Sequence, residues 1–147
     1  MTDWKIQNWY NIHIFKMFCW IIGKLKISEL KNFRIDATKT HFEIADRFEE
    51  CMRSRVGKLT VSQEWPLRLE DTRDKSLVVS LGGDGTYLRT SSMMDNPDVP
   101  LLGINTDPGR SLGILCSKFL YKERSSPNHI AKIFDQIENG KFQWMIR

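Results

Sequence analysis

Ser76-Leu77-Val78-Val79-Ser80-Leu81-Gly82-Gly83-Asp84-Gly85-Thr86 is the stretch on which the fold assignment turns. Ser76 to Leu81 is a short apolar, β-branched run of the kind that lies inside a parallel sheet, covered on both faces. It runs into a glycine-rich turn. Beyond the turn, Tyr87 to Met94 has helical character, with Leu88, Ser91 and Ser92 on one side, until Asn96-Pro97 breaks it. A buried strand that passes through glycines into a helix places its turn at the carboxyl edge of a sheet, where open α/β folds bind ligands.

The same alternation extends in both directions. Downstream, Val99-Pro100-Leu101-Leu102-Gly103-Ile104-Asn105 reads as a second buried strand. Ser125-Ser126-Pro127 opens a helix with serine as cap and proline in the first turn; Ile130, Ile133, Phe134 and Ile137 form its apolar stripe, and Gly140 closes it. Lys141 to Arg147 alternates like the opening of one more strand. Upstream, Thr40-His41-Phe42-Glu43 has capping-box spacing, and Ile44, Ala45, Phe48, Cys51 and Met52 follow on one stripe, which predicts a helix over 40–54 ended by Gly57. Lys58 to Ser62 alternates as a short strand, and the charged stretch Arg68 to Lys75 reads as an exposed loop. Strands alternating with helices predict an α/β layer with a largely parallel sheet flanked by helices.

Composition narrows the function classes. The chain has 147 residues, 41% hydrophobic and 27% charged, as an ordinary globular domain has. Residues 1–39 hold seven Lys/Arg against three Asp/Glu, which accounts for the whole net charge of +4 and leaves residues 40–147 neutral. The motif-bearing region therefore has no basic surplus with which to hold nucleic acid. Cys19, Cys51 and Cys116 are too scattered for a disulfide framework or a Cys-x-x-Cys metal site, and His13, His41 and His129 show no ligand spacing. No structural zinc is expected. Trp9 to Gly23 is apolar and aromatic, but Lys16 interrupts it and it falls short of the ~20 residues that span a bilayer. Residues 1–39 are expected to be a divergent N-terminal segment, either targeting or disordered, with lysines but neither the arginine nor the small-residue cleavage site of a clear presequence in residues 1–26.

The turn itself carries the chemistry. Glycine admits backbone conformations closed to other residues and removes side chains that would keep a phosphate away, so amide N–H groups can converge on one anion. The following helix adds the positive end of its dipole. Asp84 departs from this pattern, because a carboxylate in an anion-binding turn repels phosphate. It must accept a hydroxyl proton, hold a metal ion or bind sugar hydroxyls, all of which are tasks in phosphoryl transfer. A plain Asp-Gly hairpin is disfavoured by the helical residues after Thr86. A dinucleotide fingerprint lacks a glycine three residues beyond Gly85, and a P-loop would need a lysine that is missing.

Leu81-Gly82-Gly83-Asp84-Gly85-Thr86-Tyr87-Leu88 resembles the glycine-rich signature shared by NAD kinases, diacylglycerol-type lipid kinases and, more loosely, phosphofructokinases. Gly103-Ile104-Asn105-Thr106-Asp107-Pro108, followed by Ser111 to Cys116, looks like the corresponding stretch of NAD kinases, with the Asn-Thr-Asp-Pro form of their mitochondrial branch. The resemblance implies transfer of the ATP γ-phosphate to the 2′-hydroxyl of the adenosine ribose of NAD, giving NADP, with magnesium or another divalent ion. Asp84 would accept the hydroxyl proton; Gly82, Gly83, Gly85 and Thr86 would shape the nucleotide turn, with Asn105 and Asp107 beside it. It implies a nucleotide-binding kinase domain over 40–141, a homodimer in the full-length form, and mitochondrial localisation, with the cytoplasm as the alternative. The family adds a β-rich domain with an Asn-Glu or Asn-Asp pair. Residues 142–147 would only begin that domain, so a fragment inactive by itself is expected.

Other candidates have plain readings. Asp107 and Arg110 could touch nucleotide or belong to an ordinary turn. Met93 and Met94 read as core filler, Cys116 as a small buried hydrophobe, and His129 as a surface residue. Two rival functions share the turn: a diacylglycerol- or sphingosine-type lipid kinase, which should lack Asn105-Thr106-Asp107-Pro108, and a non-catalytic nucleotide-binding subunit.

Overall fold

The computed structural model describes residues 11–16, 27–62, 68, 70–109, 112–116, 129–143 and 145, with side-chain surroundings from Thr38 onward. The elements are β1 (Asn11–Lys16), α1 (Ile27–Arg53), β2 (Lys58–Ser62), α2 (Glu70–Arg73), β3 (Leu77–Gly82), α3 (Asp84–Ser92), β4 (Leu101–Asn105) and α4 (His129–Glu138). The strands form one parallel sheet in the order β2-β1-β3-β4. This is the doubly wound arrangement in which strand order reverses between β1 and β3.

Handedness then fixes the layers. Right-handed crossovers that travel in opposite directions along a sheet put their helices on opposite faces, so α1, linking β1 to β2, and α3, linking β3 to β4, must face apart. The contacts agree. Ala45, Phe48 and Met52 of α1 and Ile130, Ile133 and Phe134 of α4 form one core with Leu77, Val79, Leu81 and Ile104. The Phe48 and Phe134 rings lie 5.1 Å apart at a 56° tilt, which packs the two helices against each other as well as onto the sheet. On the opposite face Gly103 lies under Tyr87 of α3, where a Cβ would come within 2.7 Å of the tyrosine ring. Every residue of β3 is buried, as expected of a strand with helices on both sides.

Several boundaries differ from the sequence reading, each for a physical reason. The helix expected over 40–54 begins at Ile27, and the Thr40-to-Glu43 capping box lies in its interior. Serine/threonine-x-x-glutamate spacing is a cap signal only where the preceding backbone is extended, and here it is already helical. The boundary drawn at residue 39 therefore falls within α1. β1 also lies in the segment expected to be divergent or disordered, and it pairs with both β2 and β3. α3 starts at Asp84, three residues before the expected start, so the glycine turn is itself the entry to the helix. The charged loop at 68–75 includes the single turn α2, with Thr72 buried. The strand expected at 141–147 is not formed by its described residues; after α4, Gly140 takes φ +68° and closes the helix as anticipated. The helix cap proposed at Ser125-Ser126-Pro127 lies outside the described residues, as do Arg110 and Ser111.

Candidate functional site

Adjacent parallel strands deliver both sequence motifs to one place. Gly82, the last residue of β3, is in register with Asn105, the last residue of β4, so the Gly82-to-Thr86 turn and the Asn105-to-Asp107 segment leave the sheet side by side at its carboxyl edge. Gly83 caps α3 with extended backbone and no side chain, and its carbonyl accepts from the amides of Thr86 and Tyr87. The remaining amides of the first turn have no intrahelical acceptor and carry the positive end of the helix dipole. Thr86 is buried and Gly85 exposed, so only the glycine side of the turn meets solvent.

Asp84 ties the two motifs together. One carboxylate oxygen accepts from the Ile114 amide and the other from the Leu115 amide, each at 2.9 Å. A carboxylate oxygen has two lone pairs, so each can still accept from a further donor. Asp84 is only half-buried, which leaves that capacity accessible. The aspartate, bonded on one side to the loop, is thus positioned as an acceptor at the open edge.

Asn105 is fixed as firmly. Its Oδ1 accepts from the Asp107 amide at 3.0 Å, which bends the chain just past β4. Gly113 closes over its other side: φ is +56°, and a Cβ there would lie 2.2 Å from Asn105 Nδ2. Thr106, between them, points inward, and its Oγ1 lies 2.8 Å from His41 Nδ1 of α1 in a buried hydrogen bond. Leu112 and Ile114, on either side of Gly113, are exposed and give the edge an apolar rim.

Cys116 ends this loop beneath the turn. Its Sγ lies 4.0 Å from the Gly82 carbonyl and 3.1 Å from where a Gly103 Cβ would be. Burial first, and then the neighbouring Asp84 charge, pushes the thiol up to about 12. It is a buried small side chain with no thiolate at neutral pH, as its apolar sequence setting indicated. Ser80 Oγ, also buried, has no hydrogen-bond partner among the described residues.

Of the predicted site residues, the structure brings Gly82, Gly83, Asp84, Gly85, Thr86, Asn105 and Asp107 to the one edge. His41, Gly113 and the amides of Ile114 and Leu115 belong to the same constellation, though the sequence reading assigned them no role. A positive-φ glycine could be suspected at Gly113, but no local signal marks a histidine that bonds a residue 65 positions away. The described residues contain no cluster of three His, Cys, Asp or Glu able to cage a metal ion. No helix among them is long and apolar enough to cross a membrane.

Comparison with known proteins agrees with this geometry. Residues 36–142 match the family described as the ATP-NAD kinase N-terminal domain. The chain is 37% identical over 107 residues to the protein named "NAD kinase 2, mitochondrial" of Xenopus tropicalis, covering 73% of this chain and 24% of that one. It is 37% identical over 78 residues to the human protein of the same name, covering 53% and 16% respectively. It is 40% identical over 72 residues to the NAD kinase of Methanothermobacter thermautotrophicus, covering 43% and 25%. The chain thus spans about a quarter or less of the length of these relatives.

Proposed function

Because the chain belongs to the NAD kinase family by way of its N-terminal domain, we propose that it provides the site at which ATP phosphorylates the 2′-hydroxyl of the adenosine ribose of NAD to give NADP. The observation that carries the proposal is the placement of Asp84. Its carboxylate is held by the Ile114 and Leu115 amides at the mouth of a glycine turn, with acceptor capacity left on both oxygens. Enzymatic phosphoryl transfer is chiefly positioning and charge neutralisation, and an aspartate that orients the attacking hydroxyl and takes its proton is one of the few side-chain roles it requires.

The other residues take their roles from their places. Gly82, Gly83, Gly85 and Thr86 let the nucleotide approach the amides at the start of α3, where anionic oxygens are favoured. Asn105 and Asp107 border the ribose from the neighbouring strand, and Leu112 and Ile114 offer apolar surface to a base ring. No group of three or more His, Cys, Asp or Glu among the described residues could hold a metal ion, and with Asp84 assigned to the hydroxyl, a divalent cation would come held by the phosphates. It would neutralise charge on the transferred group. The relatives named mitochondrial support a mitochondrial location, the family resemblance is the ground for a homodimer in the full-length form, and the Asn105-to-Pro108 element favours NAD over a lipid acceptor.

The native protein isolated from its own cells, given γ-labelled ATP with NAD and diacylglycerol side by side, is expected to place label on NAD, and an Asp84→Asn variant is expected not to. Label found only on lipid would overturn the assignment.

A further inference from the structure

Thr106 is the first residue past the end of β4, and so the first beyond the reach of the sheet's hydrogen bonds. The chain beyond it holds Asp107, whose amide Asn105 accepts, and then the Gly113-to-Leu115 segment that grips Asp84. A loop that fixes so many groups needs an anchor near its root. The anchor is a side chain from another element: His41 of α1, with Nδ1 2.8 Å from Thr106 Oγ1. Both residues are 2% exposed.

We propose that His41 is a positioning residue for nucleotide binding, acting through Thr106 to fix the Asn105–Asp107 turn and, with it, the loop that orients Asp84. The proposal rests on the kinase assignment for its ligand but not for its mechanics. Burial makes the link strong, because the Thr106 hydroxyl, buried and deprived of His41, bears a desolvation cost and cannot leave cheaply. The coupling is directional: Thr106 adjoins Asn105, the Asn105 oxygen accepts the Asp107 amide, and Gly113 is seated against the same asparagine, so a shift of Thr106 moves each in turn. His41 touches no reacting group. It gives α1, otherwise a core helix, a direct hold on the geometry of the site.

Residue-resolved hydrogen exchange of the 147-residue chain tests this with His41→Leu, Thr106→Val and the double variant. The Asp107, Ile114 and Leu115 amides are expected to exchange roughly tenfold faster in either single variant, with Val79 and Leu81 of β3 unchanged, and the double variant is expected to be no faster than the singles. Thr106→Ser, which keeps the hydroxyl, should restore slow exchange. In the native protein the same substitutions should raise KM for NAD several-fold and lower kcat as well, because the loop that holds Asp84 loosens together with the Asn105–Asp107 turn, and Thr106→Ser should restore both. Unchanged exchange at the three loop amides, or equal acceleration in β3, overturns the positioning role; should His41→Leu fail to fold, Thr106→Val decides by the same criteria. If the unsubstituted native protein makes no NADP while the loop amides still respond, the kinase assignment falls and the mechanical coupling stands.

Discussion

Asp84 uses its two oxygens to accept from consecutive amides, so its replacement by asparagine does more than remove a charge. One carboxamide position becomes an NH2 facing a backbone N–H, and the group proposed to accept the hydroxyl proton is lost. NADP formation is expected to fall by about 10²-fold or more in Asp84→Asn, measured as initial rate, with the fold retained by circular dichroism. Cys116 offers a check that does not depend on activity. Its thiol is raised from 9.0 to about 12, chiefly by burial, so the unfolded chain ionises first as pH rises. The contribution of this group to stability is therefore complete below 9 and is lost between 9 and 12. Iodoacetamide at pH 8 should leave Cys116 unlabelled in the folded chain and label it in urea, as followed by peptide mass spectrometry. Ser80 gives the opposite case, a buried hydroxyl lacking a partner among the described residues. Ser80→Ala removes an unsatisfied group and is expected to stabilise the chain by about 1 kcal/mol in denaturant titration.

The elements differ in how openly they declared themselves. β3, β4 and α4 were legible because each has an unmixed signal: Leu77-Val78-Val79 is a continuous apolar run with two β-branched valines, Leu101 to Ile104 is apolar between Pro100 and the polar Asn105, and Ile130, Ile133, Phe134 and Ile137 keep one stripe. The glycine turn and Asp84 were legible for the same local reason. β1 was not, since the adjacent Ile14-Phe15 break the alternation begun at Asn11 to His13, and the run lies inside a longer apolar and aromatic stretch that imitates a presequence, so that only the pairing with β2 and β3 gives it its place. The early start of α1 was hidden by a false cap. His41–Thr106 was invisible because tertiary contacts between distant polar residues leave no periodicity. Packing of α1 on α4 rests on Phe48 and Phe134, buried and 5.1 Å apart. Phe48→Ala should cost about 3–5 kcal/mol, read from the shift in urea midpoint. Breaking the Arg55–Asp135 ion pair, which ties the turn after α1 to α4 and is partly exposed, should cost less than about 1 kcal/mol.

At the scale of the whole molecule, the decisive fact is where β1 lies. The sheet order β2-β1-β3-β4 makes it the strand through which β2 joins the rest, since β2 pairs only with β1 among the described strands. β3 and β4, which carry the candidate site, would keep their mutual register without it, but β3 would lose its other neighbour and become an edge, with apolar residues built for burial on both faces. α1 would also lose the crossover that holds it to the sheet. A chain starting at residue 27 is thus expected to be a collapsed or aggregating species and not a smaller native domain. Urea titration followed by tryptophan fluorescence and by far-ultraviolet circular dichroism is the check: the chain from residue 1 should give one cooperative, coincident transition, and the chain from residue 27 should give none. A cooperative transition in the shorter chain would show that residues before α1 are dispensable to the sheet. The strand order would then need a different account, and with it the neighbouring of Gly82 and Asn105 on which the site depends.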